Sequence, residues 1–158
     1  MFAVQIAKVL NTEVTAVCGT RTLDLVRTLG ADRVIDYTQQ DFTQLGDTYD
    51  LVFDTVAKAS FRRCAPVLKP AGIYVTTLPK LEDILWSLPG KVLPVKQSKI
   101  ALAQPHASDL DQLKGWIEAG RVRSIIDRTY HLEELVEAHQ YSEAGHAVGK
   151  VVLSVLQS

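Results

Sequence analysis

The chain has 158 residues, 47% of them hydrophobic, and 17 basic side chains nearly balance 18 acidic ones for a formal net charge of −1. That length supports one main globular unit with a real core, and the charge balance offers no field of one sign to favour nucleic acid or an anionic membrane. No apolar stretch approaches the roughly 20 residues of a membrane span, and no basic region with an apolar run and cleavage site opens the sequence, so a soluble cytoplasmic protein is expected.

Phe2 to Leu10 reads as a helix, and the β-branched, apolar run Val14 to Cys18 as a strand. After Gly19-Thr20, Leu23 to Leu29 carries apolar residues at helical spacing, and Gly30 ends that helix. Arg33 to Tyr37 is the next predicted strand, Phe42 to Leu45 a short helix, and Asp50 to Val56 another strand. A helix from Ser60 to Leu68 and a strand from Gly72 to Leu78 follow. Leu81 to Leu88 reads as a short helix or irregular cover, since Pro89-Gly90 and Pro94 interrupt anything longer. Lys99 to Ala103 is a further strand closed by Pro105, and Asp109 to Ala119 is an amphipathic helix with Ser108 or Asp109 as its N-cap. The segment Arg123 to Tyr130, a helix from Leu132 to Glu143 and a strand from Lys150 to Val155 complete the chain. Continuous apolar strands separated by helices predict an α/β fold, a doubly wound parallel sheet covered on both faces.

Several segments carry a resemblance by their order and spacing. They are Ala3-Val4-Gln5-Ile6-Ala7-Lys8, Leu29-Gly30-Ala31-Asp32-Arg33-Val34-Ile35-Asp36-Tyr37, Tyr49-Asp50-Leu51-Val52-Phe53-Asp54-Thr55-Val56, Leu68-Lys69-Pro70-Ala71-Gly72, Ile125-Ile126-Asp127-Arg128-Thr129-Tyr130 and His146-Ala147-Val148-Gly149-Lys150-Val151-Val152. Together they resemble the medium-chain dehydrogenase/reductase superfamily, in its zinc-free quinone oxidoreductase and enoyl reductase branch. The resemblance implies a Rossmann-type sheet of strand order 3-2-1-4-5-6 that binds NADP(H) at its carboxyl ends. It also implies that residues 1–121 are an NADP-binding domain lacking its first strand and glycine-rich turn, because Met1 directly precedes the helix that should follow that turn. Residues 122–158 would be the tail that relatives fold back onto an N-terminal catalytic domain. With the first strand absent, a gap is expected beside the strand at 14–18, to be filled by Val151 to Val155 or by a partner's strand.

The turn after that strand, Gly19-Thr20-Arg21, holds no acid before Asp24, and an acid there would select the free ribose hydroxyls of NAD. Arg21 can pair with a 2′-phosphate, with the Thr20 hydroxyl as an added donor; the competing reading is a solvated Arg at a helix start. Tyr37 is the implied aromatic beside the adenosine, or an edge residue packed on the sheet. Asp54 and Val56 leave their strand where the family backbone passes the nicotinamide ribose, although Asp54 also suits the cap of the next helix. Ala57 stands where relatives often have Gly. Thr77 and Leu78 would lie against the nicotinamide, or belong to the core, and Lys150 resembles a terminal Lys that reaches the cofactor.

No catalytic residue is assigned. Cys18 and Cys64 read as two buried thiols, and His106, His131, His139 and His146 show no metal-ligand spacing, so no metal site is expected. The resemblance implies hydride transfer from NADPH to a quinone or α,β-unsaturated carbonyl, and a homodimer through the edge strand 99–103. One alternative is a truncated, non-catalytic nucleotide-binding or dimerisation module. The other is an S-adenosylmethionine-dependent methyltransferase, suggested by Asp50 to Val56 and Leu68 to Gly72 but opposed by Thr20-Arg21 where an acid should grip ribose.

Overall fold

A computed structural model describes residues 1–78, 96–102, 104–145 and 147–155. The predicted helix at 81–88, Ala103 and His146 lie outside the described residues. The chain divides into two compact units, one made of Met1–Thr38 with His106–Ser158 and the other of Gln39–Pro105.

In the first unit, helix α1 (Phe2–Val9) leads into strand β1 (Thr15–Cys18), a 3-10 turn at Thr20–Thr22, helix α2 (Leu23–Thr28) and strand β2 (Arg33–Asp36). β1 and β2 pair in parallel with Thr15 opposite Arg33 and Cys18 opposite Asp36. Two features hold this register. Gly30 adopts φ of +100°, which lets the chain leave α2 at its C-terminus. Asp32 accepts from the Val14 N–H at 2.7 Å and from Lys8 Nζ at 2.7 and 2.9 Å, tying the start of both strands to α1. Val26, Leu29 and Ile35 are buried between α2 and the sheet.

The same unit contains helix α4 (Ala107–Glu118), strand β6 (Ile126–His131), a 3-10 turn at Leu132–Glu134, helix α5 (Leu135–Glu143) and strand β7 (Lys150–Ser154). α4 starts after the extended residue His106 with no side-chain cap, so neither Ser108 nor Asp109 holds the N-cap position. β6 and β7 pair in parallel, Ile126 opposite Lys150 and His131 opposite Ser154. β7 therefore does not fill a gap beside β1, which pairs only with β2 among the described residues. Gly149 is required here because a Cβ would run into the Ile125 carbonyl oxygen. The buried Gln5 of α1 makes a two-point contact with Arg123, its Nε2 donating to the carbonyl at 3.1 Å and its Oε1 accepting from the N–H at 2.9 Å. A side-chain amide thus satisfies backbone groups that would otherwise be costly to bury.

The second unit holds strand β3 (Tyr49–Asp54), the short helix α3 (Phe61–Cys64) with a 3-10 turn at Ala65–Val67, strand β4 (Leu68–Thr76) and strand β5 (Gln97–Ile100). The order β3-β4-β5 is parallel throughout and reproduces the expected sequence of the last three strands. The helix predicted to run to Leu68 stops at Cys64, because Pro66 has no N–H to continue the ladder. Phe61, Cys64, Leu68 and the fully buried Tyr74 form the core, with Val52 packed against it. Leu51 and Phe53 are 55% and 46% exposed, so β3 is covered on one face rather than on both. The edge strand expected at 99–103 runs instead from Gln97 to Ile100.

β3 ends where Asp54 turns back on the chain. Its Oδ1 accepts from the Val56 N–H at 3.0 Å, and its Oδ2 accepts from the Ala59 N–H and the Tyr74 hydroxyl, each at 3.0 Å. Burial acts to raise the Asp54 pKa, but the N–H groups and the Tyr74 hydroxyl outweigh it and hold the carboxyl below the usual range. The turn holds Ala57 at φ of +53°, a region that costs alanine more than glycine. Asp54→Ala is expected to cost about 2–4 kcal/mol in urea denaturation. Because its folded pKa is depressed, the stability Asp54 supplies is present above its unfolded value of about 3.9 and is lost as pH falls through the folded value. The variant should accordingly lose less stability on acidification than the parent. Ala57→Gly relieves the backbone and should raise stability by about 0.5–1 kcal/mol in the same measurement.

Candidate functional site

The parallel register that sets Cys18 opposite Asp36 also brings together the residues that follow each strand. Both strands end on the same side, and in open α/β sheets that carboxyl side is where ligands bind. Gly19 accepts from the Thr22 N–H and from the Thr22 hydroxyl, both at 2.9 Å, which closes the turn and presents Thr20 and Arg21. The Tyr37 N–H donates to the Cys18 carbonyl at 3.1 Å. Its ring passes over Gly19, so that a Cβ there would stand 3.4 Å from the phenol oxygen. Tyr37 is 65% exposed and presents its free face to solvent, as a stacking residue would.

Sequence reasoning missed the residue at the centre of this group. Asp36 accepts from the Thr20 hydroxyl at 2.5 Å, from the Thr38 hydroxyl at 2.7 Å and from the Thr38 N–H at 2.9 Å. The Thr20 hydroxyl, and after it that of Thr38, holds the Asp36 carboxyl below the usual carboxylate range. Thr20 was expected to offer its proton to a phosphate, and in the structure that proton goes to Asp36. The signal was available in the parallel pairing, which places the last residue of β2 beside the first residues after β1. Arg21 lies near enough to Asp127 of β6 to favour its ionised form. The main causes there are the Tyr141 hydroxyl at 2.7 Å and the Val148 N–H at 2.9 Å.

In the second unit, Asp54, Val56, Thr77 and Leu78 stand at or just beyond the carboxyl ends of β3 and β4. The Thr77 N–H donates to the Asp54 carbonyl at 3.2 Å, which joins the two strand ends. Val56 and Leu78 are exposed, Thr77 is half-buried, and the Asp54 carboxylate is occupied within the protein. Asp54 therefore closes the turn after β3 and does not cap the following helix, whose N-cap is Ser60. In the first unit, Lys150 lies outside the group at the ends of β1 and β2. It lines a cleft of about 230 Å³ at the N-terminal end of α1 with Phe2, Arg123, Ile125 and Val148, its Nζ 5.6 Å from the Phe2 ring centre. Two cations at a helix N-terminus suit an anionic group.

Burial pushes the Cys64 thiol up to about 11, which leaves it unreactive, and Cys18 is half-buried. His106, His131 and His139 are exposed. Among the described residues, no three His, Cys, Asp or Glu side chains gather as zinc would require. None of the described helices is long and apolar enough to cross a membrane.

A family model described as zinc-binding dehydrogenase matches residues 29–153. Similar curated proteins include a chloroplastic quinone oxidoreductase of Triphysaria versicolor, 34% identical over 96% of this chain and 48% of its own length. Another is an NADPH-dependent alkenal/one oxidoreductase from chloroplasts of Arabidopsis thaliana, 32% identical over 89% of this chain and 33% of its own length. Among solved structures, the quinone oxidoreductase from Coxiella burnetii superposes with a TM-score of 0.79 at 26% identity, over 98% of this chain and 49% of that one. This chain spans about half the length of such relatives, or less.

Proposed function

The chain belongs to the zinc-binding dehydrogenase family, and from that membership we propose that it is the NADPH-binding portion of an oxidoreductase acting on a quinone or an α,β-unsaturated carbonyl. The observation that carries this reading is the turn after β1, where Arg21 follows Thr20 with no acid between Gly19 and Asp24 and Tyr37 lies over Gly19. The Arg21 guanidinium would bind the 2′-phosphate through charge-assisted hydrogen bonds, and the Tyr37 ring would support the adenosine. Lys150 and Arg123 would receive the anionic diphosphate at the N-terminus of α1. When bound, the nucleotide supplies the hydride; these residues orient it.

Family membership sets the methyltransferase reading aside. The second reading is a non-catalytic nucleotide-binding or dimerisation module. An NADPH oxidation assay over a panel of quinones and enones separates the two, because turnover supports the enzyme and binding without turnover supports the module. Arg21→Ala should weaken NADPH by about tenfold and NADH by less than twofold in fluorescence titration, as expected for one charged hydrogen-bonded contact. Equal weakening of both would remove Arg21 from the phosphate site.

We further propose a homodimer through β5, which pairs with β4 on one edge and carries no strand on the other among the described residues. An open edge of this kind is a template for pairing across a two-fold axis. Sedimentation equilibrium should show dimer at micromolar concentration, and monomer alone would refute it. A cytoplasmic location belongs to the same reading and is checked by cell fractionation.

A further inference from the structure

Asp127 has no part in the nucleotide contacts proposed above, yet β6 leaves its regular register to present it. Ile126 lies opposite Lys150 and Arg128 opposite Val151, so two steps along β6 match one step along β7 and Asp127 occupies the bulge between them. A bulge re-aims the side chain it carries. Here Asp127 turns onto the chain that leads into β7, where its Oδ2 accepts from the Val148 N–H at 2.9 Å and from the Tyr141 hydroxyl of α5 at 2.7 Å. Tyr141 is itself held by its neighbours, with the Arg128 guanidinium 4.0 Å from its ring centre and the Tyr130 ring centre 6.4 Å away. The Tyr141 hydroxyl, followed by the Val148 N–H, keeps the Asp127 carboxyl below its usual range, so the acceptor is charged at neutral pH.

Lys150 follows Val148 by two residues. Its N–H donates to the Ile125 carbonyl at 2.7 Å, and Gly149 between them has no room for a Cβ against the same oxygen. The stretch 148–150 is therefore pinned at both ends to the start of β6, by the Asp127 carboxylate and by the Ile125 carbonyl. The Lys150 ammonium rides on a flexible, exposed stem, so its place at the cleft with Arg123 and Phe2 depends on where its backbone is fixed. Charge alone gives Asp127 the wrong sign for a neighbour of an anion. If only its field mattered, its removal would strengthen anion binding.

We propose that Asp127 is a positioning residue for the cleft at the N-terminus of α1, braced by Tyr141, and that it acts by holding Val148 so that Lys150 meets the anionic group. The proposal rests on the reading of that cleft as the place where the diphosphate of NADPH is received. It gives the bulge in β6 a part in binding, through a carboxylate that never touches the ligand.

The test is a fluorescence titration with NADPH on the intact chain and on variants whose folding is verified by circular dichroism. Lys150→Ala and Asp127→Ala should each weaken NADPH by about three- to tenfold, and the double variant should be within about twofold of Lys150→Ala. Asp127→Asn keeps an acceptor for the Val148 N–H and offers an N–H to the Tyr141 oxygen, so it should stay within about twofold of the parent or bind more tightly. Asp127 also lies near Arg21, and an effect routed through that guanidinium or through general loosening would add to the loss from Lys150→Ala. Tyr141→Phe withdraws the brace with less risk to the fold. It should weaken NADPH by about two- to threefold, an effect that disappears in the Lys150→Ala background. If Asp127→Ala fails to fold, Tyr141→Phe decides, and no loss, or a loss that persists without Lys150, counts against the proposal. Unchanged or tighter binding in Asp127→Ala, additive losses, or failure of Asp127→Asn to restore affinity would overturn the role of Asp127 and leave the cleft standing. NADPH affinity untouched by Lys150→Ala, or a parent chain that binds no NADPH, would bring down the cleft reading and this inference together.

Discussion

The carboxylate of Asp32 fixes the geometry on which the proposed adenosine end depends. It accepts from Lys8 of α1 and from the Val14 N–H ahead of β1, and the Asp32 and Arg33 N–H groups donate back to the Val14 carbonyl. The Lys8 ammonium, followed by the Val14 N–H, keeps the carboxyl below the usual range, so the anion is present at neutral pH. Two parallel strands can slide past one another only in steps that flip every side chain to the opposite face or displace it by a full repeat. With their first residues tied, their last residues must meet as Cys18 and Asp36, and the residues beyond them as one cluster.

This explains why the sequence carried the outline of the fold but not the centre of the site. The periodic elements were legible because burial enforces them: Val26, Leu29 and Ile35 stand at the spacing that a helix on a sheet requires. The helix ending at Gly30 and the strand pairs followed from local chemistry. Boundaries failed where a single group overruled periodicity. Pro66 stopped α3, the Asp54 turn shortened β3, and β4 began at Leu68 because a bulge with Ala71 at φ of +65° carries it past Gly72. At Gly72 a Cβ would come within 2.9 Å of the Lys69 carbonyl oxygen, so the bulge admits glycine alone.

The site was half legible for a related reason. Arg21, Tyr37 and Lys150 are recognisable from charge or ring at a strand end, without any knowledge of what surrounds them. Asp36 reads as an ordinary strand terminus until the register of the neighbouring strand is known, because its partner Thr20 is 16 positions away. Asp54 shows the opposite case, a residue that looked like a ligand contact and whose oxygens are filled by its own turn and by Tyr74. Side chains that bond along one strand can be read from sequence, and side chains that bond between strands cannot.

The central claim is that the ends of β1 and β2 form the adenosine end of a dinucleotide site. An amide-resolved NMR titration of the intact chain with NADPH tests it directly. The account predicts that the largest shifts fall on Gly19 to Thr22 and on Asp36 to Thr38, with a second group near Lys150. Shifts confined to other surfaces, or none at millimolar nucleotide, would contradict it.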